Sequence, residues 1–191
     1  MRPARFLLSA LAQGDRPLYG LLALALFVGF FHQLGNVSLF DVDEGAFGQA
    51  TREMFLRGDF LSTSLNGQPR YDKPILSYWL QAASLAAFGV DEFAFRLPSA
   101  LAATAWTLLV FLFGRRVADT RRGLLAALLM ATSLAVTVIG KAATADALLN
   151  LLLAGNTQAR SIPELADVVA RHAWTHGRKF LLVPYHMIGA R

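Results

Sequence analysis

Long uncharged runs alternate with short charged ones along this chain, and the runs set its organisation. Leu18–Phe40 has 23 residues without a charge, Leu97–Gly114 and Gly123–Gly140 have 18 each, and Pro74–Val90 has 17. About 20 apolar residues cross the hydrocarbon core of a bilayer. Leu18–Phe40 reads as an uncleaved span, because it exceeds a signal-peptide core and no small-x-small cleavage site follows it. Arg2, Arg5 and Arg16 precede it and place the N-terminus in the cytoplasm. Arg115, Arg116, Arg121 and Arg122 lie between the two later runs and belong on the same side. An even number of crossings must therefore separate the two basic clusters. Leu18–Phe40 and Leu97–Gly114 supply them, so Pro74–Val90 is expected to lie along the membrane surface. Gly123–Gly140 then returns to the outer side and delivers Lys141, Thr144 and Asp146 there. The expected fold is an all-α membrane protein with about three transmembrane helices, two juxtamembrane helices in the first outer loop, and a short helical tail.

The outer loop from Asp41 to Pro74 carries the charge that the runs lack. It holds six carboxylates (Asp41, Asp43, Glu44, Glu53, Asp59, Asp72) and four basic residues (Arg52, Arg57, Arg70, Lys73). Phe47, Ala50 and Met54 recur at helical spacing, which predicts a short amphipathic helix over Glu44–Arg57. Gly58 suits its C-terminal stop, and Asp41 with Glu44 fits a capping box at its start. Asn66-Gly67 marks a turn in the connection that follows. Pro74 suits the first turn of the next helix.

A composition shift near Gly155 divides the chain into a transmembrane region, 1–154, and a basic tail, 155–191. Ala147–Ala154 begins a fourth apolar run that Gly155-Asn156-Thr157-Gln158 interrupts. Pro163 and Glu164 then open a predicted helix over 161–178. His172 and His176 are four apart without the Glu of a HExxH motif, and read as a solvated helix face. The tail is expected to be cytoplasmic, or the product of a shifted reading frame.

Composition narrows the function classes. The 191 residues are 55% hydrophobic and 16% charged, with mean hydropathy +0.44. Ordinary soluble domains carry about 25% charged residues. The net charge of +5 reads as a topology signal beside spans, with no nucleic-acid motif present. The absence of cysteine excludes disulfides, thiol catalysis and cysteine metal sites.

Several residues carry candidate chemistry, each with a structural alternative. Asp43-Glu44 can supply a general base at the membrane surface, or cap a helix. Lys73, in Asp72-Lys73-Pro74, can set an ammonium against a phosphate at a helix entrance, or form a surface ion pair. Asp146, just beyond an apolar run, is a functional candidate by position, or pairs with Lys141, or caps the next helix. Tyr71, Tyr78 and Trp79 fit an aromatic belt, or stack on a sugar.

Four stretches together resemble the N-terminal part of the membrane glycosyltransferases of GT-C architecture, which include the lipid A aminoarabinose transferases and protein O-mannosyltransferases. They read DVDEGAFGQATREMFLRGDF, LNGQPRYDKPILSYWL, FGVDEFAFRLPSALAA and GKAATADALLNLLL, and lie within residues 18–153. The resemblance implies a multi-pass protein of the bacterial inner membrane that modifies the cell envelope, for example lipopolysaccharide. It implies a polyprenyl-phosphate sugar donor and a lipid or protein acceptor on the outer face. It implies catalytic roles for Asp43 and Asp146 and a donor-phosphate role for Lys73, with Glu44, Asp72 and Tyr71 in support. Asp72 matches a position that is commonly Glu and associated with a bound divalent metal in some members. Such enzymes continue with many more spans, so the chain is expected to be an incomplete transferase with little activity alone. The rival reading is a small non-enzymatic membrane protein that binds lipid or a partner.

Overall fold

The computed structural model describes residues 14–39, 42–71 and 73–156. The tail from 157 onward, with its expected helix over 161–178, lies outside the described residues, as do Asp41 and Asp72.

Helix α1, Arg16–Leu26, starts at Pro17 and runs into a π-helical turn at Phe27–Phe31. The chain then leaves the helix: His32 N–H reaches back to Phe27 O at 2.8 Å, and Gln33 takes a positive φ of 57°. This corrects the single span expected over Leu18–Phe40. The segment His32–Ser38 is uncharged, but its His, Gln, Gly, Asn and Ser residues favour turns over helix. At 1.5 Å per residue, Arg16–Phe31 is about 24 Å long, below the roughly 30 Å of a hydrocarbon core.

Helix α2, Val42–Arg57, buries Phe47, Ala50 and Met54 as their spacing predicts. Gly58 at φ 64° terminates it in the left-handed region that glycine favours. The connection that follows holds a small antiparallel hairpin, β1 (Ser64–Leu65) and β2 (Gln68–Pro69), paired Ser64 to Pro69 and Leu65 to Gln68. Asn66 and Gly67, at φ 53° and 76°, form its turn, matching the primed turn that suits two-residue hairpins.

Helix α3, Ile75–Phe88, begins after Pro74 and stops at Gly89. It is 14 residues, about 21 Å, and too short to span. Helix α4, Glu92–Val117, is capped by Asp91, whose carboxylate accepts from Ala94 N–H at 2.6 Å. That cap starts the helix before Leu97, where the uncharged run begins. With 26 residues, α4 is the one described helix both long and apolar enough to cross a membrane unaided.

Gly123–Gly140 was expected as one span and is instead a broken pair. Helices α5 (Thr120–Ala131) and α6 (Leu134–Lys141) meet at 67° across Thr132-Ser133. The Thr132 hydroxyl donates to Leu128 O at 2.8 Å, a back-bond of the kind that bends helices. After Gly140 and Lys141 the chain is irregular to Ala145, and a last helix, α7, covers 146–156.

The helices lock through small residues. A Cβ on Gly114 would sit 2.7 Å from Gly123 Cα, and one on Gly123 would sit 2.6 Å from Phe111 O. Helices α4 and α5 thus meet backbone to backbone. Leu18 and Leu22 of α1 cluster with Phe111, Leu124, Ala127 and Ala131. Phe30, in the π turn, is buried with Leu34, Ala100, Ala103 and Ala147. Many large apolar side chains stay exposed along these helices, among them Leu24, Phe27, Leu108, Leu129 and Val138. That pattern suits hydrocarbon better than water.

Candidate functional site

Helix α4 carries a buried arginine near its start and exposed arginines at its end. Arg96 lies in its first turns and Arg115 and Arg116 in its last, about 28 Å apart along the axis at 1.5 Å per residue. That separation is close to a hydrocarbon thickness. The candidate residues gather at the Arg96 end.

Arg96 is buried and faces buried Glu44. Its Nε donates to Glu44 Oε1 at 3.0 Å and its Nη2 to Oε2 at 2.9 Å, the two-pronged geometry of a strong charge-assisted pair. The rest of the guanidinium donates to three carbonyls of the segment after α1: Leu34 (3.1 Å), Val37 (2.5 Å) and Ser38 (3.1 Å). Glu44 also accepts the Ala143 N–H at 2.7 Å. One ion pair therefore joins the exit of α1, the start of α2, the start of α4 and the stretch after α6. The Glu44 carboxylate is buried and held by Arg96 and the Ala143 amide, and the capping box expected with Asp41 lies partly outside the described residues.

Gln81 makes a second polar junction below it. It accepts from the Thr51 hydroxyl at 2.8 Å and donates to Phe95 O at 3.3 Å and Ala143 O at 3.1 Å. Ser99 fixes the same stretch by donating to Thr144 O at 2.9 Å. Neither Arg96 nor Gln81 was singled out from the sequence. The signal was present: an ionisable or amide side chain in an apolar helix must find buried partners.

Phe47 is the centre of the site. It is buried, and Tyr78 stacks on it with ring centroids 5.1 Å apart. Ala145, next to Asp146, packs against the same cluster. The Lys73 ammonium lies over the Phe47 ring at 5.9 Å from its centroid, and the Arg70 guanidinium lies over it at 5.5 Å. Asp43 is one helical turn before Phe47, so the two share a face of α2, and Asp43 is exposed. Lys73 and Arg70 thus lie over one aromatic ring, while Asp43 stands one helical turn before it on α2 and Asp146 follows a residue packed against its cluster.

Asp146 is exposed and accepts from the Thr144 hydroxyl at 3.2 Å. Lys141 does not pair with it; its ammonium donates to His32 O at 3.0 Å. Tyr71 is 77% exposed, whereas Tyr78 is fully buried. Tyr78 is therefore a core residue and leaves the proposed aromatic belt. Trp79 is partly exposed and donates its indole N–H to Phe60 O at 2.7 Å, holding the loop after α2. Among the described residues no group of three or more His, Cys, Asp or Glu is placed to hold a metal ion.

The hairpin beside the site hangs on Glu53. Its carboxylate accepts from Ser64 Oγ (2.5 Å), Asn66 N–H (2.7 Å), Gly67 N–H (3.3 Å) and Gln49 (3.1 Å). The Ser64 hydroxyl is the largest influence on its pKa; partial burial opposes it, and the other donors add to it. The net result is a carboxyl lowered to about 2 from an ordinary 4.5. Away from this corner, a groove of about 380 Å³ runs between α3, α4 and α7, lined by residues such as Leu80, Phe88, Leu101 and Leu151, with no charged side chain.

The family described as dolichyl-phosphate-mannose-protein mannosyltransferase matches residues 72–159. An undecaprenyl phosphate-alpha-4-amino-4-deoxy-L-arabinose arabinosyl transferase of Aeromonas hydrophila is 35% identical over 134 residues, covering 69% of this chain and 24% of that protein. An uncharacterized protein of Aquifex aeolicus is 37% identical over 108 residues, covering 56% of this chain and 26% of that one. The crystal structure of ArnT from Cupriavidus metallidurans bound to undecaprenyl phosphate superposes with a TM-score of 0.68 at 25% identity, covering 74% of this chain and 26% of that one. The chain spans about a quarter of the length of these relatives. The likeness makes it a helical membrane protein.

Proposed function

With residues 72–159 in the dolichyl-phosphate-mannose-protein mannosyltransferase family and its N-terminal region homologous to the aminoarabinose transferases, we propose that this chain carries one wall of a polyprenyl-phosphate glycosyltransferase site. The observation that supports it most is the Lys73 ammonium over the Phe47 ring, on the helix that carries Asp43 and in the cluster that Ala145, beside Asp146, packs against.

The reaction is a displacement at the anomeric carbon of the donor sugar. The acceptor oxygen forms the new glycosidic bond as Asp43 takes its proton. The bond to the lipid phosphate breaks, and its electron pair leaves with the phosphate oxygen. Lys73 stabilises that growing charge. Asp146, across the ring cluster, orients the sugar or acceptor hydroxyls. Glu44 supports the site by holding the first turn of α2, and Tyr71 supplies an open aromatic face for a sugar ring. Asp72 is the candidate contact for a divalent metal. The apolar groove beside α3 is suited to hydrocarbon and would take part of the prenyl chain. The acceptor is a lipid or protein on the outer face of the bacterial inner membrane.

The test is binding of undecaprenyl phosphate to the 191-residue chain in nanodiscs, with undecaprenol as the control. Lys73→Gln should weaken phosphate-dependent binding about tenfold or more. Equal binding by wild type and Lys73→Gln would overturn the assignment. The base is tested in a chimera in which residues 14–156 replace the matching quarter of the Aeromonas hydrophila relative. There Asp43→Asn should cost on the order of 10²-fold in turnover at matched expression. Unchanged turnover removes Asp43 from the mechanism.

A further inference from the structure

We propose that Gln81 and Ser99 are positioning residues for the transfer: they clamp the irregular stretch between α6 and α7 and so set where Asp146 stands relative to the helix of Asp43. This rests on the reading of Asp146 as a site residue. From Ala142 to Ala145 the backbone is irregular, and Ala143 is fully buried, so its peptide groups need partners from outside the segment. Side chains from three helices supply them. Gln81 Nε2 of α3 donates to Ala143 O at 3.1 Å, Ser99 Oγ of α4 donates to Thr144 O at 2.9 Å, and Glu44 of α2 accepts the Ala143 N–H at 2.7 Å. Two residues after Thr144, Asp146 opens α7.

Gln81 is buried in a largely apolar helix, where an aliphatic side chain of its size would fill the space without the cost of desolvating an amide. What the amide adds is direction. Its Oε1 accepts the Thr51 hydroxyl of α2 at 2.8 Å, and its Nε2 donates to Phe95 O of α4 at 3.3 Å as well as to Ala143 O. One side chain thus references the Ala143 peptide to both the Asp43 helix and α4. Ser99 holds the next carbonyl along, so two successive peptide groups are anchored from different helices. The link reaches the carboxylate itself, because the Thr144 hydroxyl donates to Asp146 Oδ2 at 3.2 Å. A group that must meet a sugar in one geometry gains from such anchoring, since a misplacement of about 1 Å can cost on the order of 10²-fold in rate.

The experiment has two arms. The full chain in nanodiscs has no native cysteine, so nitroxides at Val42→Cys and Leu149→Cys, both exposed, report the distance between α2 and α7 and leave both candidate carboxylates in place. A pair at Leu21 and Leu129, on α1 and α5, which the clamp does not join, is the control. Gln81→Met and Ser99→Ala should each broaden the first distance distribution and leave the control unchanged. A first distribution that stays as narrow as in wild type, or one that broadens together with the control, overturns the clamp. Should Gln81→Met fail to fold, Ser99→Ala, which removes a single hydroxyl, decides alone. The second arm is kinetic, in the chimera at matched expression. Asp146→Asn and Gln81→Met should each lower kcat about tenfold or more with the donor KM within about twofold, and Gln81→Met should cost nothing further once residue 146 is Asn. Losses that multiply in the double variant mean that Gln81 acts by another route, and overturn the proposal. If Asp146→Asn lowers kcat and Gln81→Met does not, the Asp146 reading survives and the positioning role fails. If Asp146→Asn leaves kcat unchanged, the Asp146 reading itself is wrong and the positioning role goes with it.

Discussion

Replacing Arg96 by Met tests the junction on which the whole corner depends. The substitution keeps most of the side-chain length and removes the guanidinium. It leaves the Glu44 carboxylate, 1% exposed, without its facing cation, although the Ala143 amide still donates to it. Removing one partner of a buried ion pair costs about 3–5 kcal/mol. Three carbonyls, of Leu34, Val37 and Ser38, lose a donor as well. Val37 is exposed at 57%, so water can replace the donor at its carbonyl, whereas Leu34 is buried and its carbonyl adds to the cost. The working figure is therefore about 3–5 kcal/mol, most of it from the carboxylate that loses its cation. For a chain of 150–250 residues each kcal/mol moves the melting temperature about 2–4 °C, so the fall should be roughly 6–20 °C. The assay is thermal unfolding in detergent micelles, followed by circular dichroism. The double variant Glu44→Gln/Arg96→Met removes the unpaired charge and should recover about half or more of the loss. An Arg96→Met protein that melts within 2 °C of wild type refutes the reasoning. So does a double variant whose loss equals the sum of the single ones.

Other outcomes follow from local features. Glu53 has its pKa lowered to about 2 from 4.5, so it contributes stability that is complete above pH 4.5 and lost as pH falls toward 2. The protection of the Asn66 and Gly67 amides against hydrogen exchange, relative to the unfolded chain at the same pH, should therefore fall across that window, and Glu53→Gln should abolish that change; a protection profile unchanged by the substitution would sink the assignment. Gly123→Ala drives a methyl to 2.6 Å from Phe111 O and 2.7 Å from Arg115 N, both backbone, and should cost about 1–3 kcal/mol. Gly45→Ala meets nothing within 4 Å and is the control; equal melting temperatures for the two variants would contradict the close helix approach.

The sequence made local features legible and hid distant ones. The buried face of α2 followed from Phe47, Ala50 and Met54, because helical periodicity reports which side meets the core. Gly58 and Asn66-Gly67 announced a helix end and a turn, because few other residues tolerate positive φ. Helix ends within uncharged stretches were not legible. Lack of charge is a property of composition, and His32–Ser38 and Thr132-Ser133 break their helices through turn chemistry and hydroxyl back-bonds. The Glu44–Arg96 pair joins residues 52 apart, and no local pattern reports such a contact. For that reason Glu44 reads in the sequence as a capping or catalytic carboxylate. Asp43, Lys73 and Asp146 were named from position and resemblance; the ties of Gln81 and Ser99 to the stretch before Asp146 emerged only from contacts across 62 and 45 residues.

The uneven lengths of the helices bear on how the chain enters a bilayer during synthesis. Among the described residues, only Glu92–Val117 is long and apolar enough to partition into lipid on its own. The segment before it stops at Phe31, and the one after it breaks at Thr132-Ser133. Nascent Arg16–Phe31 is thus a marginal substrate for the insertion machinery until α4 has emerged. The Gly114–Gly123 contact then lets α5 enter as the second limb of a hairpin already seated in lipid. A substitution that delays α4 should therefore appear as misoriented α1 and α5, in segments that it never touches.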